Sequence, residues 1–288
     1  MELPDIFEKS EVKELIKLAL VEDLGAINVD VTSDALVPPE EVAEAHMVAR
    51  EACRLAGISV AAEVFQLVNP MLECEVKVTD GSAVEKGTTV LVVKGSAQSI
   101  LTAERTALNF IQRMSGVATV TAEYVKTAAN SNVMLLDTRK TTPALRPFEK
   151  YSVLCGGGTN HRYGLFDAVL IKDNHLASWK KKHGTGVGAA VAAARAKYPD
   201  LKIEVEVDTV DQLKEALTTK PDWVLLDNMP PPILCECVAL CSGICQTEAS
   251  GGINLDTIYD IAQTGVDAIS VGALTHSAPS IDLALDFV

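Results

Sequence analysis

The sequence predicts an α/β protein whose second half forms an incomplete parallel α/β barrel. Short apolar runs recur after about residue 131, and helical patterns separate several of them. Strands that alternate with helices in this way form βα units and a parallel sheet. The length of 288 residues also corresponds to about two domains of ordinary size.

The first hundred residues mix helical and strand patterns. Apolar residues within 11–21 recur at helical spacing and predict an amphipathic helix. Residues 73–78 and 88–94 are β-rich, and a turn signal at Thr79-Asp-Gly-Ser separates them. Residues 97–130 predict one or two helices that are interrupted near Ser115-Gly116, which is the predicted domain boundary.

The second half carries the barrel pattern. Its predicted strands are residues 133–136, 168–171, 203–207, 223–226, 246–249 and 268–271. Its predicted helices are residues 187–197, 210–217, 256–262 and 281–287. Six such units are fewer than the eight of a complete barrel, which takes roughly 250 residues, so we expect an incomplete one. A doubly wound open sheet is the alternative, but no GxGxxG motif follows an early strand.

Charge is unevenly distributed along the chain. The 25 Lys and Arg against 39 Asp and Glu give a net charge of −14, which argues against general binding to nucleic acid or anionic membranes. Residues 139–172 nevertheless contain six basic and two acidic residues, so this window is +4 while the rest of the chain is −18. A basic pocket in an acidic protein suits a small, highly charged anion, and a chance cluster of solvated charges is the alternative.

Composition and the amino terminus predict a cytoplasmic protein. No run of about 18 residues is apolar enough for a membrane span, and Met1-Glu2-Leu3-Pro4-Asp5 lacks the order of a secretory signal. The seven cysteines are an odd number, which favours reduced thiols. Cys237, Cys241 and Cys245 recur every four residues, as on one side of a helix, and CxxC pairs are absent. We therefore interpret them as small buried hydrophobes rather than zinc ligands.

Charged residues follow the predicted strands at the end where barrel enzymes carry their chemistry. Arg139 and Lys140 follow one strand, and they could also be ordinary loop charges. Lys172 ends an apolar run, where a lysine is hard to explain as structure. Its functional interpretations are a contact to an anion and a Schiff-base amine.

Two acids and two glycine-containing loops complete the set of strand-end residues. Glu206 and Asp227 lie at the ends of neighbouring predicted strands. Their carboxylates could bind Mg²⁺ or ribose hydroxyls, and the alternative is that they form salt bridges with nearby lysines. Glu204 faces the same side as Glu206, which is preferred because it lies nearer the strand end. The glycines at 251–252 and 272 follow the last two strands, where barrel loops commonly bind phosphate. These features imply a phosphorylated sugar with a metal and a second, multiply anionic small molecule.

Several motifs resemble those of the quinolinate phosphoribosyltransferases, also called nicotinate-nucleotide pyrophosphorylases (carboxylating). The most specific are Asp137-Thr-Arg-Lys-Thr-Thr-Pro143 and Ile171-Lys-Asp-Asn-His175. The other similar segments are residues 104–109, 149–152, 156–162, 226–228, 248–252 and 270–276. The resemblance is dense from about residue 104 to 276 and looser before it.

The resemblance implies an architecture and a reaction. Residues 1–116 would form an α/β sandwich domain, 117–275 an incomplete α/β barrel with the active site, and 276–288 a helix that packs back on the amino-terminal domain. The protein would be a homodimer with shared active sites, and a higher oligomer is left open. The implied pentosyl transfer converts quinolinate and phosphoribosyl pyrophosphate into nicotinate mononucleotide, pyrophosphate and CO₂, with Mg²⁺, in NAD biosynthesis.

The resemblance also assigns residues to roles. Arg105 would reach the quinolinate site of the neighbouring subunit, and Glu206 and Asp227 would hold metal and ribose. Lys140 and Lys172 are, with these two acids, the expected catalytic residues. The cations expected to bind the two carboxylates and the pyrophosphate are Arg139, Lys140, His161, Arg162 and Lys172. The remaining expected substrate-binding residues, mostly at the 5′-phosphate, are Thr138, Ser250, Gly251, Gly252, Val271, Gly272 and Ala273.

Two other functions fit the strand-end residues. A Schiff-base lyase of the barrel class would use Lys172 as its amine. A non-catalytic protein that senses a phosphorylated metabolite would use the same phosphate loops, although a pure anion sensor gains nothing from Glu206 and Asp227.

Overall fold

A computed structural model describes residues 3–129, 132–184 and 186–288. Its strands, in chain order β1 to β12, are Val42–Ala49, Cys53–Arg54, Glu73–Val76, Ala83–Val84, Thr89–Ser96, Met134–Leu136, Val169–Ile171, Ile203–Val207, Trp223–Asp227, Gln246–Ser250, Ala268–Ser270 and Leu283–Phe287. Its α-helices, α1 to α11, are Ser10–Leu24, Val31–Leu36, Ile58–Val68, Ala97–Ala128, Arg146–Cys155, Asp173–His183, Val187–Lys197, Val210–Leu217, Pro231–Cys241, Ile258–Ala262 and Ala273–His276. A 3₁₀ helix, Ile6–Glu8, precedes α1.

The chain divides into two compact units. Unit 1 comprises Met1–Ala122, Thr141–Gly157 and Leu274–Val288, and unit 2 comprises Glu123–Lys140 and Gly158–Ala273. Unit 1 therefore takes two segments from beyond the predicted boundary near residue 116. No helix among the described residues is both long and apolar enough to cross a membrane.

Unit 1 contains a four-stranded sheet in the order β12-β1-β5-β3, with every neighbouring pair antiparallel. Alternate residues of β1 are buried, as expected for a sheet with one face in the core. Met47, Phe65 and Leu91 are among the largest fully buried side chains of this core. The predicted strands at 73–78 and 88–94 correspond to β3 and β5.

The expected interruption of the long helix near Ser115-Gly116 is wrong, because α4 runs unbroken through 32 residues. The Ser115 hydroxyl donates to the Ala56 carbonyl at 3.2 Å and accepts from the Ala56 N–H at 3.1 Å. A Cβ on Gly116 would lie 1.7 Å from the carbonyl oxygen of Pro279. The small residues therefore permit close backbone packing, which local sequence cannot distinguish from a helix break.

The expected carboxyl-terminal helix within residues 276–288 is also wrong. Most of that segment is the strand β12, which pairs antiparallel with β1 from Ala45↔Phe287 to Ala49↔Leu283. Leu283 and Leu285 are buried while Asp286 is half-buried, which is a period of two. Seven residues were too few to separate that period from a helical one without the partner strand.

Unit 2 contains a six-stranded parallel sheet in the order β6-β11-β10-β9-β8-β7. Each of the six predicted strands has its counterpart, and α7 and α8 have the predicted bounds. Thr159 adds a parallel bridge to Leu136 on the outer side of β6. Within the described residues β6 and β7 are the edges and do not pair with each other, so the predicted α/β fold with an incomplete barrel is confirmed.

Six α-helices of the described residues have no counterpart among the predicted helices. They are α2, α3, α5, α6, α9 and α11. Helix α6 begins directly after Lys172, whose backbone N–H donates to Nδ1 of His175 at 2.9 Å. Helix α9 begins at a proline, which is favourable at the first helical position, and ends at Cys241, so Cys245 lies outside it.

Candidate active site

The carboxyl ends of the parallel strands surround a cavity of about 300 Å³ in unit 2. Strand register aligns the side chains, because Glu206 of β8 and Glu248 of β10 are both paired with Leu225 of β9. Residues two positions apart on a strand share a face, so Ser250 and Asp227 continue the same face toward the strand ends. The residues that line the cavity are Asp137, Thr138, Arg139, Lys140, His161, Arg162, Leu170, Lys172, Leu225, Glu248, Ser250 and Ser270.

One wall of this cavity is cationic. Arg139 and Lys140 come from the loop after β6, Arg162 from the loop before β7, and Lys172 from the end of β7. Burial lowers the pKa of Arg162, and the like charge of Arg139 lowers it further. The two guanidinium groups repel each other beside the cavity. A carboxylate or phosphate bound between them would offset that repulsion.

The loop after β10 begins at Ser250, which lines the same cavity. Gly251 has φ +95°, and a Cβ there would lie 2.2 Å from Oδ1 of Asn228. The Asn228 N–H donates to the Ser250 carbonyl at 2.8 Å, which holds the loops after β9 and β10 together. Glycine is required at 251 both for its left-handed backbone and for this close approach. Such an exposed, tightly turned backbone is suited to binding phosphate oxygens through N–H groups.

Two acids lie near the cationic wall. Nζ of Lys172 is 3.4 Å from Oε2 of Glu206, whose side chain is 12% exposed. The Asn228 side chain donates to Oδ2 of Asp227 at 2.6 Å. Burial raises the pKa of Asp227, against the effect of that hydrogen bond. Carboxylates from neighbouring strands on one face offer the oxygen ligands that Mg²⁺ prefers.

A third acidic feature lies deeper in the sheet, around His161. Nε2 of His161 is 2.9 Å from Oε2 of Glu204 and 3.2 Å from Oε2 of Glu248. Both glutamates are buried. The backbone N–H of His161 donates to Oδ1 of the buried Asp137 at 2.9 Å. We call His161, Glu204 and Glu248 the histidine cluster.

The structure brings most of the predicted site residues together. Those that line the cavity are Thr138, Arg139, Lys140, His161, Arg162, Lys172 and Ser250. Glu206 and Asp227 lie on the same face of the sheet, and Gly251 and Gly252 follow directly after Ser250. Val271, Gly272 and Ala273 follow β11, and the Val271 N–H donates to the Leu136 carbonyl at 3.0 Å. Arg105 is exposed on α4 in unit 1, and its expected role in a neighbouring subunit stays a prediction.

Sequence reasoning missed four polar residues of this region. They are Asp137, Glu204, Glu248 and Ser270. Glu204 faces the interior as Glu206 does, but its greater distance from the strand end disfavours it as a candidate. Glu248 has the strand parity of Ser250, and Ser270 ends its strand, so parity alone could have indicated both of them.

The fold and the cavity define an α/β-barrel enzyme whose strand-end site is built for small, multiply anionic substrates. Comparison with protein families identifies the quinolinate phosphoribosyl transferase amino-terminal domain at residues 30–115 and the carboxyl-terminal domain at 117–286. The chain therefore belongs to the quinolinate phosphoribosyltransferase family.

Named relatives agree with this membership. A mitochondrial quinolinate phosphoribosyltransferase (decarboxylating) of Nicotiana tabacum is 42% identical, over 96% of this chain and 82% of the relative. A nicotinate-nucleotide pyrophosphorylase (carboxylating) of Mycobacterium leprae is 40% identical, over 97% of this chain and 98% of the relative. The solved nicotinate-nucleotide pyrophosphorylase of Francisella tularensis matches with a TM-score of 0.90 and 39% identity, over 97% of this chain and 96% of that one. These relatives give no support to the lyase or to the non-catalytic sensor.

Proposed function

We propose that this protein transfers the phosphoribosyl group of phosphoribosyl pyrophosphate to quinolinate and releases CO₂, which yields nicotinate mononucleotide for NAD biosynthesis. The observation that carries the proposal is one strand-end cavity lined by two arginines and two lysines, with a glycine loop directly after its lining residue Ser250. Quinolinate has two carboxylates, and the second substrate has a pyrophosphate and a 5′-phosphate, so both substrates match a cavity of this charge. Membership of the family named for this reaction supports the same assignment.

The cationic wall would bind the negative groups of both substrates. Arg139 and Arg162 present planar guanidinium groups that can hold a carboxylate through two hydrogen bonds. Lys140 and Lys172 are exposed at the mouth, where lysines suit the pyrophosphate that departs. The backbone after Ser250 and after β11 would hold the 5′-phosphate.

The reaction needs opposite charges at two positions. Departure of pyrophosphate leaves positive charge on the ribose, and Glu206 and Asp227 lie on the strand face where carboxylates could stabilise it. After transfer, the ring nitrogen of the pyridine is cationic and stabilises the electron pair that loss of CO₂ leaves on the neighbouring ring carbon, and this carbon then takes up a proton from water. The protein then has mainly to orient the departing carboxylate, which the guanidinium groups would do.

Mg²⁺ is part of the proposal, with Glu206 and Asp227 as its protein ligands. The donor set fits, since both side chains offer carboxylate oxygens on one face and neighbouring strands. When bound, Mg²⁺ would neutralise charge on the pyrophosphate leaving group. The ion pair between Lys172 and Glu206 shows that a cation already balances one of these acids in the protein itself.

A homodimer with shared sites and a cytoplasmic location complete the proposal. Arg105 is exposed on α4, as a residue that acts in the site of a second copy would have to be before assembly. The cytoplasmic location stays a prediction.

The direct test is to incubate the purified protein with quinolinate, phosphoribosyl pyrophosphate and Mg²⁺. We expect CO₂ and nicotinate mononucleotide in equal amounts, measured by release of label from carboxyl-labelled quinolinate and by chromatography. Nicotinate in place of quinolinate is the matched control, because it lacks the carboxylate that is lost. Absence of product with folded protein across a range of pH and Mg²⁺ would overturn the proposal.

A further inference from the structure

The histidine cluster lies beside the substrate cavity, and its two glutamates have no role in the reaction as derived so far. His161 and Glu248 line the cavity at the strand ends. Both also line a second cavity of about 370 Å³, to which Glu204 contributes, near the amino ends of the strands. The cluster therefore lies between the two cavities.

Burial makes this cluster costly for the fold. Glu204 is 6% exposed and Glu248 is 1% exposed. Among the described residues, Oε1 of Glu204 has no hydrogen-bond partner. Replacement of such buried charges by apolar residues is commonly neutral or stabilising, so packing alone does not explain two acids here.

Two buried carboxylates beside one imidazole nitrogen favour the charged form of the imidazole. Burial by itself lowers the pKa of His161, but hydrogen bonds to Glu204 and Glu248 outweigh burial and raise it to about 10. Burial also raises the pKa of Glu204, and its contact with His161 opposes that effect. A protonated imidazole donates from both nitrogens and has no lone pair that would repel an anion.

We propose that Glu204 and Glu248 are positioning residues that keep His161, already expected to contact a quinolinate carboxylate, as a fixed imidazolium. This inference rests on the proposed function and names two residues that act through His161 rather than on the substrate. Without the glutamates, His161 would be a buried histidine among cations and would be neutral at physiological pH.

The other charged groups around His161 have opposite effects on its protonation, because acids favour the imidazolium and cations disfavour it. On the strand-end side they are Asp137, Arg139, Lys140, Arg162 and Lys172. On the side of the second cavity they are Asp167 and Lys202. The nearby cations exceed the acids outside the cluster, so Glu204 and Glu248 are needed for protonation.

The test combines Glu248→Gln and Glu204→Gln with the charge-matched control Glu236→Gln, which changes an exposed residue of α9. Two measurements are made: the ¹⁵N shifts of the His161 ring in the free protein, assigned with His161→Gln, and the KM for quinolinate from about pH 6 to about pH 9. Wild type and Glu236→Gln should keep a protonated ring up to about pH 8.5.

Removal of one acid lowers the His161 pKa, so the affinity lost by the Gln variants should grow as pH rises through the lowered pKa. We expect the ratio of variant to wild-type KM to increase about tenfold between about pH 6.5 and about pH 8.5. Glu248→Asp, which keeps the charge, should remove most of that pH dependence. A merely structural role for the acids would lower kcat or stability equally at every pH.

The outcomes separate this inference from the proposed function. A His161 ring that is neutral at about pH 7 in wild type overturns the inference even if neither variant folds. A pH-independent KM ratio in a folded variant overturns it as well, as does tight Zn²⁺ binding that abolishes the ring N–H signals, since the cluster would then be a metal site. If wild type does not turn over quinolinate, the proposed function fails, while the ring spectra still report the protonation state.

Discussion

The two sheets of this protein treat charge in opposite ways. In the antiparallel sheet of unit 1, the inward face is apolar and the charges are paired at the surface, as in the contact between Lys94 and Glu44 at 2.9 Å. In the parallel sheet of unit 2, Glu204 and Glu248 are buried on the strands themselves. Exposed ion pairs contribute little to stability, whereas buried acids cost folding free energy unless they have partners. The comparison indicates that charge on an inward strand face marks the functional sheet.

The largest expected effect is the difference in turnover between two lysine variants, one in each unit. Lys172→Ala should lower turnover by at least about a thousandfold, because it removes a cation from the mouth of the cavity. Lys94→Ala, which removes a surface lysine from unit 1, should leave kcat and KM unchanged. Product formation and thermal melting of both variants test this. An active Lys172→Ala would exclude that lysine from the mechanism.

The second prediction concerns a residue of unit 1 that we expect to serve a second copy. Arg105→Ala and Lys172→Ala should each be inactive alone. After unfolding and refolding of an equal mixture, half of the dimers are mixed and each has one intact site, so about a quarter of wild-type activity should return. If sites are not shared, no mixture will exceed the activity of the single variants.

The third prediction concerns Mg²⁺. Asp227→Asn removes a carboxylate from the face shared with Glu206, so the Mg²⁺ concentration for half-maximal activity should rise about tenfold or more. Asp208→Asn is the control, because Asp208 follows β8 and is exposed. Equal Mg²⁺ requirements for the two variants would contradict Asp227 as a ligand.

The fourth prediction concerns the apolar core of unit 1. Phe65 is fully buried, so Phe65→Ala should lower the free energy of unfolding by about 3–5 kcal/mol. Its KM for quinolinate should change little at temperatures where the variant is folded. Urea unfolding and steady-state kinetics measure the two effects, and a large change in KM with little loss of stability would contradict the division of roles.

The smallest effect is expected at a helix cap in unit 1. Asp30 accepts hydrogen bonds from the N–H groups of Thr32 and Ser33, each at 3.1 Å. Asp30→Ala should therefore cost about 1 kcal/mol of stability near neutral pH. The hydrogen bond from the Ser33 side chain is the largest cause that lowers the pKa of Asp30. This contribution should be complete above the unfolded pKa, near 3.8, and be lost as pH falls through the lower folded value.

Prediction from sequence succeeded where local pattern and local structure coincide. In unit 2, β6, β7 and β9 are apolar runs with a charged residue at or directly after their ends, so the sequence predicts their positions and their carboxyl ends. Helix α6 was missed because its apolar residues are few and its start coincides with the motif at Lys172. The sequence pattern of β12 predicts a helix, because its period of two is evident only when β12 is paired with β1.

The sequence by itself determined the parallel α/β architecture, the family and the cations of the cavity, because each depends on residues close together in the chain. Only the tertiary structure decided that α4 is continuous and that Glu204 and Glu248 surround His161. His161 and Glu204 are 43 residues apart in sequence, yet Nε2 and Oε2 lie 2.9 Å from each other. Contacts of that kind depend on how the strands are ordered and curved in space, and no local periodicity records that order.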